Sequence, residues 1–319
     1  MRRPRVADDV RAAGYGRGMT VHPTGAQYEI VAGEHRATIT EVGATLRTYQ
    51  VAGRDVVAGF GPDDTVKGGR GQTLAPWPNR VRDGRYTFDG VDQQLWLTEP
   101  SRHNASHGLV RYTPWRLLES EPDAVTLGIV IYPQPGWPGT LAVQVSYRVG
   151  ADGLVVRVQA DNIGPVGVPF GYGAHPYLSV GEPTVDEVQV TIPATSYLEV
   201  DDRLLPVAVT GVADTAFDYR AGVELGSTSL DTAFTGLTRD ADGRWRVRLT
   251  RGDRSAELWA DESFAWTQVF CGGPYRTWGM AVEPMTCGPN AFNPGPTHAD
   301  LVRLDPGEVF TGQWGIVER

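Results

Sequence analysis

Nowhere does the chain keep a helical period for more than two turns. From Ala26 onward it is instead built of short alternating apolar and polar runs, most of them stopped by Gly, Pro, Asp or Asn. Alternation sends successive side chains to opposite faces, which is the signature of a strand with one face buried. The runs are Tyr28–Val31, Ala37–Val42 and Thr45–Val51, then Ala124–Tyr132, Thr140–Val149, Leu154–Ala160, Val185–Ile192, Arg244–Thr250 and Ser255–Trp259. The 39 Gly and 23 Pro supply turns and edges and would interrupt helices at most points. We expect an all-β chain, a large antiparallel β-sandwich. No compositional break marks a linker and no fixed period marks a repeat, so residues 21–319 are expected to form a single domain. Residues 1–20 are rich in Gly and Arg and lack apolar periodicity. They are expected to be a disordered tail, with Met19 an alternative start.

The formal charge of −9 argues against nucleic-acid or anionic-membrane partners, which call for basic patches. A small neutral partner fits better. Cys271 and Cys287 are the only cysteines and form no Cys-x-x-Cys pair, so a reducing cytoplasm is the expected location. No apolar stretch approaches 18 residues, and the basic N-terminus has no apolar segment of the kind a secretory signal needs.

Four stretches carry side chains suited to chemistry. Met280-Ala-Val-Glu283-Pro284 delivers a carboxylate from an apolar run, and Pro284 is expected to end that strand at Glu283. Thr73-Leu-Ala-Pro-Trp77-Pro-Asn79-Arg80 fixes the backbone around Trp77 and presents an amide and a guanidinium, groups suited to orienting a polyol. His103-Asn-Ala-Ser-His107-Gly108 and Val168-Pro-Phe-Gly171-Tyr-Gly173-Ala-His175-Pro-Tyr177 place histidines in Gly-rich turns, His175 being the better acid–base candidate. Its neighbours Gly171 and Gly173 allow a close backbone approach. His103 and His107 have a spacing that could serve a metal on a helix, but the segment is not helical and offers no third ligand, so no metal site is assigned. Each stretch alone also fits an ordinary solvated turn.

Taken in order, Pro78-Asn79-Arg80-Val-x-x-Gly84, His107-Gly108, Gly173-x-His175-Pro-Tyr177, Leu230-Asp231, Gln268-Val-Phe and Val282-Glu283-Pro284 resemble the aldose 1-epimerase (galactose mutarotase) family. The likeness runs from about Val21 to Glu318. The Pro-Trp-Pro-Asn-Arg form is most similar to a bacterial branch that includes the epimerase-like protein of sulfosugar operons. The resemblance implies a β-supersandwich with Glu283 as general base, His175 as general acid, and Asn79, Arg80, His107, Asp231 and Gln268 as sugar-hydroxyl contacts. Tyr177 and Trp77 are further candidate contacts. Asp231, in Ser-Leu-Asp-Thr-Ala-Phe, reads as an ordinary turn–strand junction without the motif. Val-Phe-Cys-Gly after Gln268 departs from the family's usual Val-Tyr-Thr, and Arg-His-Asn-Ala-Ser precedes His107 in place of a more asparagine-rich approach. Both bear on which sugar is used.

The implied reaction is anomer interconversion of a hexose by ring opening, with no metal or cofactor, in a monomer or homodimer. A non-catalytic sugar-binding module would keep Asn79, Arg80 and aromatics but would not need both Glu283 and His175. A glycosidase could use Glu283 with Asp231 and would leave His175 without a task. A hexose-phosphate epimerase would call for additional arginines converging on the site, and Arg70, Arg102 and Arg111 are near the motifs in sequence only.

Overall fold

In the computed structural model, which describes residues 21–181 and 184–319, strands alternate with turns throughout, and the only helical pieces among them are four short 3-10 turns. The expectation of a disordered tail falls on residues 1–20, outside the described residues. All strand pairings in the three main sheets are antiparallel. The architecture is an all-β sandwich.

The nine-stranded sheet is centred on Leu141–Gly150, Gly153–Asn162, Val309–Glu318 and Arg254–Ala260. Alternation explains its placement. Leu141, Val143, Val145, Tyr147 and Val149 point inward, and Val145 lies opposite Val158 on the neighbouring strand. A four-stranded sheet formed by Gln27–Ala32, His35–Thr40, Thr45–Val51 and Arg54–Asp55 packs against it. The buried Tyr147 hydroxyl donates to the Ala44 carbonyl at 2.7 Å, tying the two layers with a satisfied polar group.

The eight-stranded sheet runs in the order Pro206–Gly211, Ala194–Val200, Asp231–Leu237, Trp266–Phe270, Met280–Met285, Gly173–Ala174, Thr73–Leu74, with Tyr177–Leu178 also paired to Met280–Met285. Its central strand Met280–Met285 is buried on both faces. One face, with Met280, Val282 and Val269, joins the main core. The opposite face carries Glu283 and Gln268, next to a small apolar cluster of Leu198, Ala233, Trp266 and Met285. A period of two thus separates core from chemistry along the same strands.

Two expectations need correcting. Pro284 does not end its strand, which continues to Met285 with Pro284 opposite Thr267. The amides of Val282 and Thr286, of the same parity as Pro284, donate to Pro176 and Tyr172. Pro284 therefore sits where the flanking chain breaks between Gly173–Ala174 and Tyr177–Leu178, and its missing N–H removes no bond to Trp266–Phe270. Val185–Ile192 is not one strand either: Val185–Glu187 is a 3-10 turn capped by the Thr184 hydroxyl, and only Gln189–Thr191 is extended.

Candidate active site

Glu283 and Gln268 stand directly opposite each other in the ladder, and Asp231 opens the next strand. These three side chains come from three adjacent strands and meet at one end of the sheet. The loop from Gly173–Ala174 to Tyr177–Leu178 brings His175 over them, and two turns in left-handed backbone conformation, at Asn79 (φ 52°) and His107 (φ 63°), close the other side. Together they line a cleft of about 430 Å³, within the range of small-molecule sites. A wider groove of about 770 Å³ crosses the outer face of the nine-stranded sheet past Gln144, Arg157 and Gln313. The smaller cleft is the one that holds His175, Glu283 and the other motif residues together.

His175 Nε2 lies 3.2 Å from Glu283 Oε1, and both residues are buried. Burial raises the Glu283 carboxyl well above the usual carboxylate range, and the Asp231 charge pushes the same way. Burial also depresses the His175 imidazole, to about 4, with the Arg111 guanidinium acting in the same direction. The two shifts describe a buried pair that avoids charge and holds one proton between its members. Glu283 Oε2 and His175 Nδ1 are buried with no hydrogen-bond partner among the described residues. Both sides of the pair keep polar capacity unspent.

Around the pair the polar side chains form a chain of fixed polarity. Gln268 Nε2 donates to Asp231 Oδ1 at 2.6 Å, and Gln268 Oε1 accepts from Asn79 Nδ2 at 3.4 Å. Asn79 Oδ1 in turn accepts from Arg80 Nη1 at 3.2 Å. Arg80 then grips both oxygens of Glu99, at 2.8 and 3.1 Å. Because the Arg80 guanidinium can only donate to Asn79 Oδ1, the Asn79 Nδ2 must face Gln268 Oε1 and the Gln268 Nε2 must face Asp231, so each amide has one orientation. His107 Nδ1 accepts from the Asn79 amide, so its neutral ring carries the proton on Nε2. Burial, then the neighbouring His175, Arg111 and Arg80, hold His107 well below its usual proton affinity.

Tyr177 lines the cleft and stacks on His175, with ring centroids 5.3 Å apart and planes 18° apart, while its hydroxyl donates to the Gly68 carbonyl at 2.9 Å. Gly69 (φ +71°) also packs against the ring, where a Cβ would lie 2.8 Å from His175 Cδ2. The imidazole thus contacts both a phenol ring and a bare backbone. Trp77, expected as a sugar contact, is instead buried in the core, edge-on to Phe292 at 5.7 Å. A large indole between two prolines gains more from burial than from the cleft wall. The close approach at Gly171 is to Cys287 Sγ, which an added Cβ would meet at 2.6 Å, and to the Pro78 ring at 3.0 Å; at Gly173 it is to Pro78, at 2.8 Å. His103 turns outward to Asp83, away from His107.

A family model described as aldose 1-epimerase matches residues 26–316, almost the whole described chain. The chain belongs to the aldose 1-epimerase family. YihR of Escherichia coli K12 is 33% identical over 289 residues, 90% of this chain and 92% of that protein. Galactose mutarotase of Sus scrofa is 28% identical over 337 aligned residues, covering 90% of this chain and 93% of that one. A solved galactose mutarotase-like protein from Clostridium acetobutylicum shares the fold with a TM-score of 0.83 at 16% identity, over 91% of this chain and 94% of the other.

For an aldose 1-epimerase family member, the cleft contains more than the motifs single out. Glu99, Arg102, Arg111 and Tyr112 line it without belonging to any of them. Arg111 follows His107 by four residues and could have been suspected on that ground. Glu99 has no local signal, since only the tertiary fold brings it to Arg80. Arg70, considered with Arg102 and Arg111, does not line the cleft; its guanidinium lies 3.8 Å over the Trp278 ring and donates to the Gly59 carbonyl.

Proposed function

We propose that the chain is a mutarotase that interconverts the α- and β-anomers of a hexose, with Glu283 as general base and His175 as general acid. The carrying observation is the buried His175–Glu283 pair, 3.2 Å apart, in a cleft walled by amide and guanidinium groups. Glu283 takes the proton of the anomeric hydroxyl while His175 delivers one to the ring oxygen, and the C1–O5 bond breaks to give the open aldehyde. Rotation about C1–C2 presents the other carbonyl face, and the reverse transfers close the ring to the opposite anomer. The catalyst must start as carboxylate and imidazolium, which differ from the neutral pair only by one proton moved across the 3.2 Å contact. Hydrogen bonds from the sugar to the charged forms favour that transfer. No proton enters or leaves overall.

Asn79, Arg80, His107, Asp231 and Gln268 orient the ring hydroxyls, and their mutual hydrogen bonds preorganise them before substrate arrives. Tyr177 is assigned to hold His175 in plane and contact the sugar. Membership of the aldose 1-epimerase family supports the reaction class. No helix among the described residues is long and apolar enough to cross a membrane, and cytoplasmic action on a diffusible sugar is the reading we adopt. The test is direct: freshly dissolved α-D-glucose and α-D-galactose, followed by polarimetry, should reach anomeric equilibrium far faster with enzyme than without. A rate equal to buffer for all hexoses tried would leave a sugar-binding module as the reading.

A further inference from the structure

The strands Ala194–Val200 and Pro206–Gly211 form a hairpin at one edge of the eight-stranded sheet, and Leu204 in its turn has left-handed backbone, φ 58°. A branched side chain is unfavourable there, where Gly or Asn normally stands, and persists only when its surroundings over-determine it. Asp201 fixes the turn from within. Its Oδ1 accepts from the amides of Arg203 and Leu205, both at 2.9 Å, and its carbonyl accepts from the Leu204 amide at 2.8 Å. Neither Arg203 nor Leu204 lines the cleft, yet each reaches residues that do.

Leu204 acts by packing. Half-buried, it borders with Leu198 a gap of about 10 Å³ whose other walls include Asn79, Arg80, Asp231 and Gln268. A gap of that size is at the lower limit for one water, so the four polar side chains have little room to retreat. Arg203 acts by hydrogen bonds. Its guanidinium donates to the carbonyls of Arg102 and His103 at 3.0 and 2.9 Å, to Asp83 Oδ1 at 2.8 Å and to Asn104 Oδ1 at 3.3 Å. Asn104, fully buried, donates Nδ2 back to the Arg203 carbonyl at 3.1 Å and on to Glu99 Oε2 at 3.2 Å, and Glu99 grips Arg80. Two separate lines from one strained turn thus converge on Asn79 and Arg80, and neither line includes His175 or Glu283. We propose that Arg203 and Leu204 are positioning residues that hold the sugar contacts in place from outside the cleft, so that the turn sets sugar affinity without touching sugar. The proposal rests on the assignment of Asn79, Arg80, Asp231 and Gln268 as sugar contacts.

The test compares wild type with Leu204→Gly, Leu204→Met, Arg203→Met and Arg203→Lys, reading KM and kcat for glucose and galactose from NMR anomer exchange, Kd for the same sugars from calorimetry, and melting temperature. Leu204→Gly relaxes the backbone but removes the packing, so Kd and KM should rise about tenfold while kcat changes by less than about threefold. Leu204→Met fills a similar volume and should bind like wild type. Arg203→Met should weaken binding several-fold, with Arg203→Lys between, since a point charge cannot replace the guanidinium fork. Wild-type Kd and KM in Leu204→Gly and Arg203→Met, whatever their melting temperatures, would overturn the proposal, because a turn that serves only the fold moves stability alone. A loss carried by kcat at unchanged Kd would also overturn it, by placing the effect on the proton-transfer pair. Arg203, part-exposed, decides if Leu204→Gly does not fold. If wild type binds sugar without exchanging its anomers, the mutarotase reading fails while the Kd series still decides this one; if it neither binds nor exchanges any hexose, both fall.

Discussion

At the scale of single residues, burial sets the chemistry of Glu283 and His175. A lone ionised carboxylate in such a site costs several kcal/mol, so burial keeps the proton on the pair. The pH dependence follows. On the proposed mechanism activity needs one proton on the pair and should be lost when a second is added, as His175, depressed to about 4, titrates. The acid limb of kcat/KM should therefore lie near pH 4 and not at the ordinary imidazole value. A limb at pH 6–7 would place His175 outside the pair. Glu283 also affects stability with a definite sign. Its folded proton affinity is raised, so above the unfolded carboxylate pKa folding must take up a proton, and stability falls as pH rises through that window. Glu283→Gln removes this penalty, so its melting temperature relative to wild type should climb between pH 5 and 8. A constant difference across that range would mean that Glu283 is ionised in the folded protein.

At the scale of elements, the site depends on where strands stop and turns approach. Gly69 is the turn glycine that touches His175, its left-handed backbone lying against the imidazole ring. Gly69→Ala should cost about 1–2 kcal/mol for the backbone conformation alone. It should also lower kcat more than it raises KM, since the added methyl displaces the acid and not the hydroxyl contacts. Unchanged kcat with a lowered melting temperature would show that the turn supports the fold only. Most strands were legible because their one-sided burial writes a period of two, as in Leu141–Gly150. Met280–Met285 was harder: buried on both faces, it has no alternation, and Pro284 looked like a stop signal until the gap in its neighbour was known. Val185–Ile192 misled for a different reason: Val185 is buried from within a 3-10 turn, and of its valines only Val188 and Val190, beyond it, are buried from extended chain.

At the scale of the whole molecule, the eight-stranded sheet gives one face to the core and the other to the cleft. Residues as far apart in sequence as Asn79 and Gln268 meet there with 3.4 Å between their amides. Sequence reading on its own found His175 and Glu283 by their surroundings, but Asp231 and Gln268 needed the family motif, because nothing local separates them from solvated polar residues. Glu99 was out of reach as a site residue, since only the tertiary fold brings it to Arg80, while Arg111 had only its nearness to His107 in sequence to suggest it. The central claim is that the His175–Glu283 pair performs the proton transfers. It is tested most directly by anomer-exchange rates from NMR, alongside calorimetric sugar binding, for wild type, Glu283→Gln and His175→Asn. The account predicts that both variants bind sugar within a few-fold of wild type while kcat drops by about 10²–10⁴, the contribution of a positioned acid or base. Wild-type exchange rates in Glu283→Gln would contradict it.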